Sequence, residues 1–260
     1  MAESTRAFLA RGKSVIRCEH CQLARYACIC QWQPHVPITA EFILLMHRDE
    51  VFKPTNTGRL LADLFPAQTH VFVWNRTAPD AELLALIDDP QRRCMIVFPA
   101  EGSEMNQPEV VATGEIAVSR PTRQLWRELP DDGKRNTFIL LDGTWKQSGR
   151  MFNQGRWLDK LACVVLPEGR SRGYSVRKSH QDDYLSTAEA AALCLVLAED
   201  TLAAETLLDY FELFNTHYLA TRACCAPQIG ELHHRLAQLK VELNGDRLAA
   251  CAETSVQVAQ

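Results

Sequence analysis

The chain predicts an α/β protein, a parallel sheet flanked by helices, with a cysteine-rich knot before it and a helical C-terminus after it. Three observations carry that prediction. Several short apolar runs show no polar alternation, the mark of strands buried on both faces of a parallel sheet. Those runs alternate with helix-like stretches, as in β/α architectures. Four cysteines also crowd into residues 18 to 30. The clearest run is Thr137 to Trp145, TFILLDGTW, where an apolar strand stops at an acid, a glycine, a hydroxyl and an indole. Ligands of open α/β sheets bind just beyond such carboxyl ends, so Asp142, Thr144 and Trp145 stand where chemistry is usually done. The competing role for Asp142 or Thr144 is a cap on the helix that follows.

The elements follow in order. Residues 1 to 36 form a cysteine-rich segment, and a short linker with Pro34 and Pro37, Gln31 to Thr39, follows the cysteines into the main domain. Glu41 to His47 reads as a strand, Thr57 to Phe65 as a helix, Thr69 to Trp74 as a strand and Asp80 to Ile87 as a helix. A third strand spans Arg93 to Phe98 and stops at Pro99, and a helix is expected over Thr122 to Leu129. After the TFILLDGTW strand come a helix at Thr144 to Phe152 and a strand at Leu161 to Leu166. The rest is helical: Thr187 to Asp200, Ala203 to Tyr218 and Ile229 to Leu243, with a flexible tail expected over 244 to 260. Residues 37 to 243 are thus the main domain. Neither a G-x-G-x-x-G nor a P-loop is present.

Composition narrows the setting. With 260 residues and 47% hydrophobic content, the chain can bury a full core. The first 17 residues hold no apolar core long enough for a signal peptide, and the strongly apolar stretch Ala190 to Ala198 is too short for a bilayer. A cytoplasmic protein with no membrane partner is expected. Its ten cysteines then argue against disulfides. Cys18, Cys21, Cys28 and Cys30, in the pattern C-x2-C-x6-C-x-C, suit a structural tetrahedral metal site, zinc or iron. A redox-active cysteine pair is the alternative. Cys94, Cys163 and Cys194 lie in apolar runs and read as inert core residues, whereas Cys224 and Cys225 receive no role.

The net charge of −4 hides an asymmetry. Lys146 to Gln181 holds eight basic residues and two acids, whereas Asp182 to Gln260 holds four basic residues and twelve acids. Residues 1 to 30 carry five basic residues and two acids. Two basic segments on an acidic chain suit a polyanion track, although ordinary solvated faces have the same composition.

Polar clusters follow the strands. Lys53-Pro54-Thr55-Asn56-Thr57-Gly58-Arg59 offers a cap at Asn56 or Thr57, and Gly58 allows close backbone approach, a suitable place for an anionic or carboxylate group. Ser186-Thr187-Ala188-Glu189 opens a long helix and reads as a capping box. In a parallel sheet these loops gather at one edge.

With these residues in place, the sequence resembles the DTW-domain family, whose D-x-T-W signature stands here as Asp142-Gly143-Thr144-Trp145. The resemblance extends to the cysteine pattern, to K-P-T-N-T-G-R at 53 to 59 and to V-F-P at 97 to 99. It continues through M-F at 151 to 152 and S-T-A-E at 186 to 189, covering roughly residues 6 to 220. Within the family the chain is most similar to the bacterial tRNA-uridine aminocarboxypropyltransferases. The resemblance implies a SPOUT-like, knotted fold. It also implies transfer of the 3-amino-3-carboxypropyl group of S-adenosylmethionine to N3 of a tRNA uridine, position 47, with methylthioadenosine released.

Site roles follow from the same resemblance. Asp142, Thr144 and Trp145 become the catalytic candidates. Asp142 would position or accept the uridine N3 proton, or bind the amino group of S-adenosylmethionine. Trp145 would lie near the adenine or sulfonium, a core position under the sheet edge being the alternative. Pro99, Asn56, Thr57, Ser186, Thr187 and Glu189 complete the cofactor candidates. Lys53, Arg59, Arg150, Arg156, Arg172, Arg177 and Lys178 would hold the tRNA backbone, with the zinc knot as a further RNA clamp. The rivals are a SPOUT-like RNA methyltransferase, a relative acting on ribosomal RNA and a non-catalytic zinc RNA-binding module.

Overall fold

The computed structural model of the chain describes residues 15–98, 132–166 and 185–257. Its strands are β1 (Glu41–Met46), β2 (Thr69–Val73), β3 (Arg92–Phe98), β4 (Arg135–Asp142) and β5 (Ala162–Val165). The helices are α1 (Arg59–Leu64), α2 (Ala81–Asp88), α3 (Trp145–Gln154), α4 (Thr187–Leu197), α5 (Thr201–Ala223) and α6 (Glu231–Gln257). The strands form one sheet in the order β2-β1-β4-β3-β5, and every pairing is parallel. The β/α alternation expected from the sequence is therefore present. The helix expected over Thr122 to Leu129 lies outside the described residues.

Contacts divide the chain into two compact units. One is His35–Phe211, and the other joins the stretch up to Pro34 with the stretch from Glu212 onward. In the first unit, all six residues of β1 are buried, and so are Thr137 to Leu140 of β4, as their unbroken apolar runs demand. Alternation sends the two sets of side chains to opposite faces. Ile43, Leu45, Ile96 and Ile139 pack with Leu83 and Ile87 of α2 and with Met151 and Phe152 of α3. Phe42 and Phe138 meet on the other face, their ring centroids 5.9 Å apart. Asp142 has the parity of Phe138 and Leu140 and closes the carboxyl edge, paired in register with Met46.

The amino edge carries a different cluster. Glu41 is buried, and its carboxylate accepts from Arg92 Nε at 2.7 Å and from Arg135 Nη1 at 2.6 Å. Burial alone would push this carboxyl up, but the two guanidiniums hold it below its ordinary range. Cys94, in the same strand as Arg92, is pushed up to about 11 by burial, which fits an inert thiol. Cys94 is partly buried, and Cys163 and Cys194 are buried.

Helix ends explain where the structure departs from expectation. The helix expected to reach Asp200 stops at Leu197, because Glu199 takes a left-handed φ of 65° and starts a turn into α5. Asp200 then accepts from the backbone N–H groups of Thr39 and Ala40, tying that turn to the approach to β1. Helix α5 runs past Tyr218 to Ala223 and ends where Cys224 adopts φ 55°. Helix α6 continues beyond Leu243 to Gln257, since alanine, leucine and glutamate of high helix propensity follow and no proline intervenes.

In the second unit a short antiparallel bridge, Arg17 to Ala24, folds the cysteine segment into a hairpin. Gln22 turns its corner with φ 58°. A histidine pair joins this hairpin to the helices. His233 Nδ1 accepts from Gly230 N at 3.0 Å, so its proton resides on Nε2. That N–H donates to His217 Nε2 at 2.9 Å, and His217 Nδ1 in turn donates to the Ala27 carbonyl at 2.9 Å. Both rings are satisfied as neutral imidazoles. Burial pushes both below the ordinary histidine range.

Candidate active site

The carboxyl edge of the sheet brings three chain segments onto one side chain. Asp142 ends β4 and is buried. Its Oδ2 accepts from Asn56 Nδ2 at 2.5 Å, and its Oδ1 accepts from Thr187 Oγ1 at 2.7 Å. Asn56 comes from the loop after β1 and Thr187 from the first turn of α4. The edge is fastened further by His47 N, which donates to the Asp142 carbonyl at 2.8 Å. Asn56 Oδ1 in turn accepts from Arg59 N at 3.0 Å, so the residue that holds the carboxylate also fixes the start of α1.

Gly58 has a steric purpose here. A Cβ at this position would lie 3.0 Å from Asp142 Oδ2, 3.1 Å from Cγ and 3.3 Å from Oδ1. The carboxylate packed against Gly58 is the chain's own, that of Asp142. Thr57 is buried beside it.

The D-x-T-W signature splits across the sheet. Asp142 faces the side of α1 and α4, whereas Thr144 begins α3, whose Met151 and Phe152 pack on the opposite face. Thr144 is exposed and caps α3: its Oγ1 accepts from Gln147 N at 3.4 Å, and Gln147 Oε1 accepts from Thr144 N at 2.8 Å. The capping role weighed for Thr144 is present, and Gln147 gains a role that the sequence did not suggest. Trp145 is half-buried at the first position of α3. Ser186 and Glu189 form a second capping box, with Ser186 N donating to Glu189 Oε2 at 2.8 Å. Their side chains serve the helix start that presents Thr187 to Asp142.

The basic candidates divide. Lys53 Nζ donates to buried Glu50 at 2.7 Å, so its charge anchors its own loop. Arg59 is half-buried and Arg150 exposed. Arg156 is exposed, lies 3.6 Å from Asp159, and lines a groove of ≈ 580 Å³ with Arg76, Asn153, Gln154 and Trp157. Pro99, Arg172, Arg177 and Lys178 lie outside the described residues.

The four cysteines converge. The sulfurs of Cys18, Cys21, Cys28 and Cys30 all lie within 4.8 Å of one another, and the Cys18–Cys30 and Cys21–Cys28 pairs are each 3.8 Å apart. A tetrahedron with metal–sulfur bonds of about 2.3 Å has edges of about 3.8 Å, so the donor set fits a tetrahedral ion. A disulfide would need about 2.05 Å. Burial opposes ionisation of Cys18, yet backbone hydrogen bonds from Cys21 and His20 and the neighbouring thiols bring it down to about 6. Burial pushes Cys21 up to about 11. Four thiolates this close repel one another, and a bound cation removes that penalty.

Comparison with known proteins adds a family. A sequence profile described as the DTW domain matches residues 15–219. The tRNA-uridine aminocarboxypropyltransferase 2 of Drosophila melanogaster is 25% identical over 189 residues, covering 70% of this chain and 66% of that protein. The protein of the same name from Mus musculus is 26% identical over 197 residues, covering 74% and 59%. The Macaca fascicularis protein, also so named, is 25% identical over 195 residues, again covering 74% and 59%. The chain thus spans slightly less than two thirds of these relatives' length. No solved structure matches it. Among the described residues no helix is long and apolar enough to cross a membrane.

Proposed function

The chain belongs to the DTW-domain family, and on that premise we propose that it transfers the 3-amino-3-carboxypropyl group of S-adenosylmethionine to N3 of a tRNA uridine, position 47. Methylthioadenosine is the coproduct. The relatives' names support the reaction class. The observation that carries the reading is the convergence of Asn56 and Thr187 on buried Asp142 at the carboxyl edge of a parallel sheet.

S-adenosylmethionine supplies an electrophilic carbon beside a sulfonium, and selection of the aminocarboxypropyl arm over the methyl is a matter of orientation. The residues present fit that demand. Asp142 holds two loops in one geometry and places a negative charge where the donor's amino group or the uridine N3 proton is to be held. Thr187 and Asn56 restrain that carboxylate from two sides. Gly58 leaves room for the approach. The half-buried Trp145 offers an aromatic wall for the cationic donor. Thr57 and the start of α4, capped by Ser186 and Glu189, frame the same edge.

For the RNA we assign Arg156, with Arg76 and Trp157 of its groove, and Arg150 as the described backbone contacts. Phe52, 89% exposed on the loop that carries Lys53 and leads to Arg59, adds an apolar face. Arg172, Arg177 and Lys178 extend the same basic segment. The cysteine cluster would hold structural zinc, iron being the other tetrahedral choice, and would clamp the RNA. The knotted SPOUT-like arrangement belongs to this proposal, supported by the all-parallel sheet with β4 at its centre. So do a metal-binding segment over residues 1–36, a transferase domain over 37–243 and a cytoplasmic location.

The test is a reaction of the purified protein with unmodified tRNA and S-adenosylmethionine, with nucleosides and coproduct read by mass spectrometry. Aminocarboxypropyluridine and methylthioadenosine are expected. Methylated nucleoside with S-adenosylhomocysteine would replace the proposal with a methyltransferase. RNA binding without any product would replace it with a binding module.

A further inference from the structure

A groove of ≈ 430 Å³ lies beside the cysteine cluster, within the unit that the hairpin forms with α5 and α6. We propose that this groove, lined by Arg25, Tyr26, Gln31, Trp32, Pro227 and Ile229, takes an unstacked nucleobase of the tRNA substrate, stacked on the aromatic rings with its phosphate on Arg25. The proposal rests on the tRNA reading above.

Three observations on the rings support it. Tyr26 is half exposed, so its ring is presented to solvent, and its hydroxyl reaches the Thr221 carbonyl at 3.5 Å. Trp32 is held edge-on by two histidine rings, with centroids 5.3 Å from His217 and 4.7 Å from His233. The neutral histidine pair is itself fixed by backbone groups at both ends, so the indole is set before any ligand arrives. Such preorganised aromatic platforms suit bases, because every base has a π-face.

Charge and hydrogen bonding point the same way. Arg25 is exposed and meets no carboxylate among the described residues. Lys240 Nζ donates to the Gln31 carbonyl at 3.0 Å, which brings a second cation to the rim. The Gln31 side chain is exposed and carries both a donor and an acceptor, as the edge of a base requires. A purely apolar partner would leave these three groups unused. A groove of this volume has room for one base and its ribose. Unpaired bases are the parts of an RNA that proteins read by stacking, and tRNA offers them in its loops and at its end.

The experiment measures binding of the full-length, metal-loaded protein to three labelled RNAs by fluorescence anisotropy: a short unstructured single strand, a blunt duplex and an unmodified tRNA. Wild type, Tyr26→Ala, Tyr26→Phe and Arg25→Ala are compared. For Tyr26→Ala, the single strand and the tRNA should both bind about tenfold to a hundredfold more weakly, the worth of one stacked base. Tyr26→Phe keeps the ring and should stay within about threefold of wild type. Duplex binding should not change with Tyr26. Arg25→Ala should lower the slope of log affinity against log salt by about one phosphate contact.

Unchanged single-strand affinity in Tyr26→Ala would overturn the proposal, and so would equal losses for duplex and single strand. A loss for the single strand but not for tRNA would overturn the assignment to tRNA. Product formation with no dependence of binding on Tyr26 leaves the transferase reading intact and removes this one. Tyr26-dependent binding in a protein that makes no product does the reverse.

Discussion

Gly58→Ala is the most informative small change in this protein, because two physical effects oppose each other there. Gly58 has φ −60° and ψ −33°, an ordinary right-handed conformation. On backbone grounds alanine should stabilise it by about 0.4–1 kcal/mol, by restricting the unfolded chain. Against this, the new Cβ would lie 3.0 Å from Asp142 Oδ2 and 3.1 Å from Cγ. The carboxylate must give by a few tenths of an ångström, yet Asn56 and Thr187 hold it from two sides. Overpacking of this kind costs about 1–3 kcal/mol, so the net result is a destabilisation of about 0.5–2 kcal/mol.

The assay is urea unfolding of four proteins: wild type, Gly58→Ala, Asp142→Ala and the double variant. With the carboxylate removed, the Cβ has room, and Gly58→Ala should become stabilising in the Asp142→Ala background. The coupling energy should be about 1–3 kcal/mol. If Gly58→Ala is as stable as wild type and the coupling is zero, the packing of Gly58 against the carboxylate is not what holds this loop.

Four further outcomes are expected. Thr187→Val removes the donor to Asp142 Oδ1 and should lower kcat by about tenfold to a hundredfold with less than about 2 kcal/mol lost in stability, checked by kinetics and unfolding. The purified protein should carry one tetrahedral metal ion per chain by elemental analysis, and Cys28→Ser or a strong chelator should release it and lower Tm. His217 and His233 are held below the ordinary range, so the unfolded chain binds more protons. Their contribution to stability is full above about pH 6.5 and is lost as pH falls below it; a His233→Phe variant should show a flatter Tm-versus-pH curve there than wild type. Glu41→Gln takes the buried carboxylate from Arg135 and leaves Arg92 with Asp89 alone, and should cost about 1–3 kcal/mol at neutral pH, with the difference from wild type shrinking as acid protonates Glu41.

The sheet was legible because its determinants are local. Strands such as EFILLM and RCMIVF are short, nearly continuous apolar runs bounded by polar clusters, and their length, flanks and lack of alternation mark them. The cysteine cluster was legible for the same reason, since its ligands lie within thirteen residues. The meeting of Asn56, Asp142 and Thr187 was expected only as loops gathering at one edge. Which atoms touch depends on strand register, which places Asp142 beside Met46 and directs its side chain toward α1 and α4. Thr144 shows the converse. Its neighbour Asp142 suggested a shared site, and a continued strand would keep positions 142 and 144 on one face. But β4 ends at Asp142, and the chain turns at once into α3 with Thr144 as its cap. The pairing of His217 with His233, and of Glu41 with Arg92 and Arg135, has no local signature at all. Long-range packing decides those contacts.

The central claim is that Asp142 organises the reaction centre. The most direct test is single-turnover formation of aminocarboxypropyluridine by wild type and Asp142→Asn, with tRNA affinity measured alongside. Asparagine keeps the size and loses the charge. A rate at least about a hundredfold lower, with tRNA affinity within about threefold of wild type, is the predicted result. Product formed at the wild-type rate by Asp142→Asn would contradict the account.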